Sequence, residues 1–436
     1  MRKKKRVAGL AGLCAAALLL SACAFHESND TLYRLPKLPA EYESLETQID
    51  ALLASGAEYA APTSGSNLQS VQMVDLDGDG EEEAVAILRR PGDEKPMKVY
   101  VFRADGDNYG QYCLIEGASN AVYSINYVDL NGDGSREILA GTRSSSDVQN
   151  LAVYSVADGE VKPLLTTGYS RYTALDMDGD GRLDLIVLRS DEESVAVADY
   201  YAWNGTELEL YSSLRLSSSV AELSRLTAGT LEGGESALFV TGVTESSDAI
   251  TDILTMRDSK LQVVRHGGEL VHFLGLYPND IDGDGVTEVP EPVPFPQLDP
   301  EGLIYYRICW RQYDAEGGAT IVRESYRDTL SGWSLTLPEE WRDGVMVTRT
   351  GTTDISAVSF SRYGGEELQL PFLTVYTFTG DMRDAQVLRA GYKLLIRRPD
   401  TIYAFELTEA AEGLIDETAV RERFSLITPE WTTGEN

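Results

Sequence analysis

The stretch VDLDGDGEEEAVAIL, Val74 to Leu88, sets six acidic residues and two glycines in front of an apolar run. Asp75, Asp77, Asp79 and Glu83 fall within nine residues, so four like charges crowd one short loop. Solvent, a cation or a chemical task has to stabilise them. The same pattern returns as VDLNGDGSREILA with its first acid at Asp129, as LDMDGDGRLDLIVL at Asp176, and as NDIDGDGVTEVP at Asp280. These starts are 54, 47 and 104 residues apart. The last gap is about two periods long, which places a hidden copy near residue 228, in LTAGTLEGGESALFV (Leu226–Val240). That copy keeps glycines, Glu235 and the apolar strand but not the aspartates. The spacing therefore predicts five units of roughly fifty residues.

Each unit carries one coarse pattern. A short strand such as Ser124–Val128 enters the acidic loop, and a β-rich run such as Glu137–Ala140 leaves it. Two more strand candidates follow, KVYVFRA and QYCLIEG in the first unit, LAVYSV and VKPLLTT in the second. Gly106-Asp107 and Asp158-Gly159 separate them as turns. Four short strands per repeat fit a propeller blade. The expected fold is mainly β: a β-propeller of about five four-stranded blades over 64–328, with a small C-terminal α+β domain over 329–436.

Numbered from its first aspartate, each intact loop has side-chain oxygens at positions 1, 3, 5 and 9. These are Asp75, Asp77, Asp79 and Glu83; Asp129, Asn131, Asp133 and Glu137; Asp176, Asp178, Asp180 and Asp184; Asp280, Asp282, Asp284 and Glu288. Position 7 (Glu81, Ser135, Arg182, Val286) can add its backbone carbonyl, since every residue has one. Glycines at positions 4 and 6 let the chain curl sharply. An all-oxygen set on a flexible loop suits Ca²⁺, whereas Mg²⁺ demands stricter octahedral geometry. His and Cys are nearly absent, which argues against zinc and copper. An EF-hand would need a glutamate at position 12 between two helices. Ala86, Ala140 and Val187 stand there in three loops, and Glu291 in the fourth follows Pro290. A solvated acidic turn is the plain alternative for any single loop. Four in register favour the ion.

D-x-[DN]-G-D-G-x-x-[DE] ahead of an apolar strand, repeating about every fifty residues, resembles the FG-GAP/VCBS repeats of integrin-α-type β-propellers. The resemblance covers roughly Ser64 to Asp328 and implies that the four loops each join two strands of a blade and bind structural Ca²⁺. It implies no metal in the Leu226–Val240 copy, and five blades is fewer than integrin relatives have.

The flanks set the compartment. MRKKKRVAGLAGLCAAALLLSAC opens with five basic residues, runs apolar and ends Leu20-Ser21-Ala22-Cys23. That order predicts a signal peptide over 1–22, its apolar stretch short for a membrane span. LSAC resembles the lipobox of bacterial lipoproteins, which implies lipidation of Cys23 and an exported chain held to the outer face of a bacterial membrane. Without residues 1–22 the chain has 32 Lys and Arg against 70 Asp and Glu, a formal charge of −38. Such a charge repels phosphate backbones, so nucleic acid is excluded as a partner. Cys113 and Cys309 are then the remaining cysteines, either a disulfide or two buried thiols.

Between the tether and the repeats (23–63), LPAEYESLETQIDALLASG places Tyr42, Leu45, Ile49 and Leu52 on one helical face. Such a helix either packs on the propeller or binds a partner. Beyond Asp328, GWSLTLPEEW alternates Trp333, Leu335 and Leu337, strands are expected at Ile355–Phe360, Phe372–Phe378, Tyr392–Ile396 and Ile402–Leu407, and DETAVRERFSLI closes as a helix. This tail loosely resembles the PsbP/Mog1-like fold.

Outside the loops there is no G-x-S-x-G, no HExxH and no phosphate-cradling glycine loop. DYYAW and IYYRICW could line a sugar-binding face, though aromatics in strands are more often core. The expected function is a calcium-stabilised surface lipoprotein that binds a protein or glycan. The alternatives are an envelope scaffold serving a membrane complex and, less favoured, a carbohydrate-active enzyme.

Overall fold

The computed structural model describes residues 42–106, 108–143, 149–364 and 368–427. The expected signal peptide, Cys23 and the tether lie outside the described residues. What is described is mainly β, in six antiparallel sheets.

The first four sheets are meanders whose strands neighbour one another in chain order. The first is Val71–Val74, Glu83–Arg89, Met97–Asp105 and Asn108–Gly117, extended by the two-residue strand Glu58–Tyr59. The second is Val122–Val128, Glu137–Arg143, Gln149–Ala157 and Glu160–Gly168. The third is Arg171–Leu175, Asp184–Ser190, Val195–Trp203 and Leu208–Ser219. The fourth is Leu223–Thr230, Ser236–Val243, Asp248–Arg257 and Lys260–Arg265, with Val271–Phe273 added beside its third strand. Tight turns make this possible. Asp158 and Gly159 both have positive φ (52° and 76°), as do Asp258 and Ser259 (51° and 59°), the signature of two-residue hairpin loops that match strand twist.

The second strand of each of these four sheets is covered on both faces. Ala84 through Leu88 are fully buried, which explains why these runs are continuously apolar instead of alternating. Consecutive sheets share cores. Ile87, Val99 and Ile115 of the first meet Ile125 and Ile138 of the second. Leu139 and Val153 of the second meet Val187 and Tyr201 of the third. The third joins the fourth through Ile186, Ala198 and Leu238, and the fourth joins the fifth through Phe239, Ile253, Val289 and Tyr313. Tyr200, Tyr201 and Trp310 are buried, and Trp203, Tyr305 and Tyr306 are half-buried, so half of the aromatics in the two runs are core.

Both outer faces of this row are covered. Helix Glu43–Ala54 lays Leu45 and Ile49 against Ala84, Ala86, Leu88 and Phe102 of the first sheet, with Tyr42 stacked on Tyr109 at 6.0 Å. Each of those aliphatic side chains contributes about 2 kcal/mol by burial. The helix thus packs on the sheets, the first of its two expected roles. At the other end stands the fifth sheet, Val289–Pro294, Tyr306–Tyr313 and Ala319–Asp328, preceded by a single bridge between Asn279 and Glu288. It continues past residue 328 into Trp333–Thr336 and then Phe424–Leu426. The sixth sheet orders Val345–Gly351, Ile355–Tyr363, Leu368–Phe378, Ile402–Leu407 and Lys393–Arg397, with helices Arg383–Ala390 and Glu417–Arg423. One core spans fifth and sixth sheets: Phe295 and Tyr326 meet Trp333, Trp341, Phe360, Phe372 and Phe424. Among the described residues no shared core joins the first sheet to the fifth.

Cys113 and Cys309 are free, buried thiols in different sheets. No helix among the described residues is long and apolar enough to cross a membrane.

Candidate metal centres

The four acidic loops connect the first pairing segment of a sheet to the strand beside it, and they share one frame. The first aspartate accepts at Oδ1 from the N–H of position 4 and at Oδ2 from that of position 6. For Asp75, Asp129, Asp176 and Asp280 the first distance is 2.8, 2.7, 2.8 and 2.7 Å, and the second 3.2, 3.0, 3.0 and 3.0 Å. Position 5 accepts from the N–H of position 7 at 2.8 Å in every loop, through Asp79, Asp133, Asp180 and Asp284. Glu81, Ser135, Arg182 and Val286 thus hold the frame through their N–H groups, not through the carbonyls expected of them as ligands. The glycines at positions 4 and 6 have φ between 73° and 91°, conformations that side chains resist.

The acid at position 9 is buried in every loop; Glu83, Glu137 and Asp184 begin the following strand, and Glu288 immediately precedes it. One of its oxygens accepts the N–H of position 2 (Leu76, Leu130, Met177, Ile281) at 2.8 or 2.9 Å. Burial pushes Glu137 up to about 7 and Asp184 up to about 6, and raises Glu83 and Glu288; neighbouring carboxylates add to this, and the backbone N–H opposes it. A buried carboxylate facing other carboxylates is unfavourable until a cation or proton balances it.

Positions 1, 3 and 9 converge. In Asp75, Asp77 and Glu83, in Asp176, Asp178 and Asp184, and in Asp280, Asp282 and Glu288, one oxygen from each residue lies within 4.8 Å of the others, so these clusters could hold a metal ion. Position 5 stands outside these tight groups, turned to the N–H of position 7. In the second loop Asn131 takes the place of the acid and donates to Asp133 Oδ2 at 3.1 Å and Glu137 Oε1 at 2.9 Å. Oxygen-only clusters fit a hard cation.

Sequence reading missed the residues that reach these loops from the strand paired to the one that follows the loop. Arg103 pairs with Asp77 and lies 3.7 Å from Asp79 Oδ2 and 3.5 Å from Glu83 Oε1. Gln312 Nε2 is 2.8 Å from both Asp284 Oδ2 and Glu288 Oε1. Tyr200 donates to Asp178 at 3.2 Å. Cross-strand register could have found the first two, because Arg103 and Gln312 each stand opposite position 9, one step beyond the pairs Ala84–Phe102 and Val289–Arg311. Glu291, the EF-hand alternative in the fourth loop, instead lies 3.1 Å from Arg311.

The loops also touch one another. The N–H of Arg136 donates to the carbonyl of Leu76 at 2.6 Å. A side chain at Gly78 would meet the Gly134 carbonyl at 2.5 Å, and one at Gly132 would meet Arg182. In the fourth sheet the corresponding turn is only Leu231–Glu235, closed by Leu231 N–H to the Glu235 carbonyl at 2.9 Å. It is three residues shorter than the segment from Asp75 to Glu82, a shortening that the sequence reading did not detect.

The entering strands converge as well. Gln72 and Met73, Asn126 and Tyr127, Tyr172 and Thr173, and Ala228 come from four different sheets and line one cavity of about 560 Å³. Asn126 donates to Tyr172 Oη at 2.7 Å across it, and Tyr127 to Gln72 Oε1 at 2.7 Å.

No protein-family model and no curated protein matches the chain. Among solved structures it is similar to an exo-β-1,3-galactanase from Phanerochaete chrysosporium, with TM-score 0.26 and 10% identity over 74% of this chain and 80% of that one. A putative exo-β-1,3-galactanase from Bifidobacterium bifidum gives TM-score 0.26 and 12% identity over 63% and 93%. A hypothetical protein from Leishmania major gives 0.22 and 11% over 60% and 89%. Likeness at this level bears on neither the fold nor the chemistry.

Proposed function

We propose that the chain is an extracytoplasmic binding module: a calcium-stabilised FG-GAP/VCBS-type propeller, lipid-anchored to the membrane through Cys23, that presents its surface to a protein or glycan ligand. The observation that carries this reading is the shared frame of the four loops, with the same hydrogen bonds, glycine conformations and buried ninth acid. Convergence of the entering strands of four sheets on one cavity supports a radial arrangement of blades. The helix and the sixth sheet would then cap the two end blades, as terminal elements cap a repeat array.

The ions are structural in this reading. They balance the buried acids and fix the loops that lock neighbouring sheets. Asp176, Asp178 and Asp184, and Asp280, Asp282 and Glu288, would hold Ca²⁺ with a backbone carbonyl from position 7; in the second loop Asp129, Asn131, Asp133 and Glu137 would do so.

Binding is favoured over catalysis by the state of the other buried acids. Asp199 pairs with Arg189, Asp252 accepts from Ser217 and Gly267, Glu324 lies between Arg307 and Arg342, and Asp328 faces Arg349. Glycoside hydrolysis needs two carboxyl groups free to face a sugar, and these are committed to structure. The reading is tested by glycan arrays and by pull-down from intact bacterial cells. Calcium-dependent capture without turnover is the expected result, and glycan cleavage would overturn it.

A further inference from the structure

We propose that the first acidic loop needs no metal because Arg103 supplies the positive charge from within the chain. This rests on the calcium reading of the other loops. The Arg103 guanidinium reaches Asp77, Asp79 and Glu83 together, and two of these carboxylates are candidate ligands in the converging cluster. A guanidinium is always charged, and its planar fork meets several carboxylate oxygens at once.

Two features make this a built arrangement. The guanidinium lies over the Tyr112 ring, 4.9 Å from its centroid, so it is held from the side away from the loop. Its position, opposite position 9 on the strand paired to the one that follows the loop, is also the one from which Gln312 reaches the fourth loop. The four loops differ there. The pairs Ile138–Tyr154 and Leu185–Tyr201 put Ser155 and Ala202 at that place in the second and third loops, and Gln312 holds it in the fourth. Serine, alanine and glutamine bring no charge. Among the described residues, only the first loop has a cation on the carboxylates of its converging cluster: in the third loop Arg182 pairs with Asp180, which stands outside that group. The first is also the loop with Glu81 and Glu82 beside its ligands.

An ion entering the first loop would have to displace the guanidinium and leave it beside a divalent charge. The first loop would then work as a permanent joint, closed in any calcium concentration, while the other three depend on the ion.

Calcium bound per full-length chain in detergent, measured by equilibrium dialysis, tests this. Three ions are expected for the wild-type chain, four for R103Q, three for D77A and two for D178A, with circular dichroism confirming a folded chain. The D77A and D178A pair keeps the test decisive if R103Q does not fold. Four ions in the wild type, or a loss of one ion in D77A, would overturn the assignment to Arg103 alone. No bound calcium in any of these chains would instead overturn the calcium reading beneath it.

Discussion

The amide of Arg136 in the second acidic loop donates to the carbonyl of Leu76 in the first, 2.6 Å away. Gly78 lies against Gly134 in the same contact. The acidic loops are thus joints between sheets as well as turns within them, and whatever orders one loop also orders the seam to its neighbour.

Removing calcium should therefore lower the melting temperature of the whole chain. Each filled site contributes RT ln(1 + [Ca]/Kd), about 2.7 kcal/mol at a hundred times Kd. Calorimetry in EDTA and in millimolar calcium checks this. Calcium should restore the transition where magnesium does not, and a curve indifferent to EDTA refutes the structural role of the ion.

Gly78→Ala should destabilise more than Gly80→Ala. Both positions have positive φ (73° and 90°), which costs an alanine about 1 kcal/mol. At Gly78 the new methyl also meets the Gly134 carbonyl at 2.5 Å, whereas nothing lies within 4 Å at Gly80. Urea denaturation should give a loss of about 2 kcal/mol or more for the first and about 1 for the second. Equal losses would deny the contact between loops.

A chain ended at Asp328 should fail to fold as a soluble unit. The cut would strip Trp333–Thr336 and Phe424–Leu426 from the fifth sheet and expose Phe295 and Tyr326, which pack on Trp333 and Phe360. A soluble fragment with a cooperative melt would show that the fifth sheet does not depend on this core.

Cys113 and Cys309 should be inert in the native state. Burial pushes both thiols up to about 11, Cys309 further through Glu324 beside it, so little thiolate exists near pH 8. A thiol reagent should label neither cysteine until denaturant is added, then both. Labelling of the native chain at either site would contradict the burial.

Spacing alone located the four loops, because a metal-loop frame needs particular residues at particular positions. The same spacing located the silent copy at Leu226–Val240, but not that its turn, Leu231–Glu235, is shorter, because the period survives while the loop does not. The boundary at residue 328 followed the end of the repeat, yet hydrogen bonding runs on through Ser325–Thr336 pairing, which periodicity does not encode. Helix Arg383–Ala390 was missed because it offers little apolar pattern; of its side chains Val387 is in the core and Leu388 is exposed. Strand Val345–Gly351 was also missed, its three consecutive buried residues giving no alternation to read. Arg103 and Gln312 were hidden for another reason. Their meaning depends on which strand lies beside which.

The pairing of Trp333 with Leu426 sets an order of events. Each of the first four sheets finds its main partners within a short run of chain and can form as that run emerges. The fifth waits for Phe424–Leu426, a strand far along the chain from Trp333–Thr336. During synthesis, the row of sheets would grow from the amino-terminal end with its last edge bare, until Phe424–Leu426 seals it. Edge protection thus becomes a check on the chain as far as Leu426: a chain that stops before it keeps an open strand and exposed aromatic residues, the features that favour aggregation over survival.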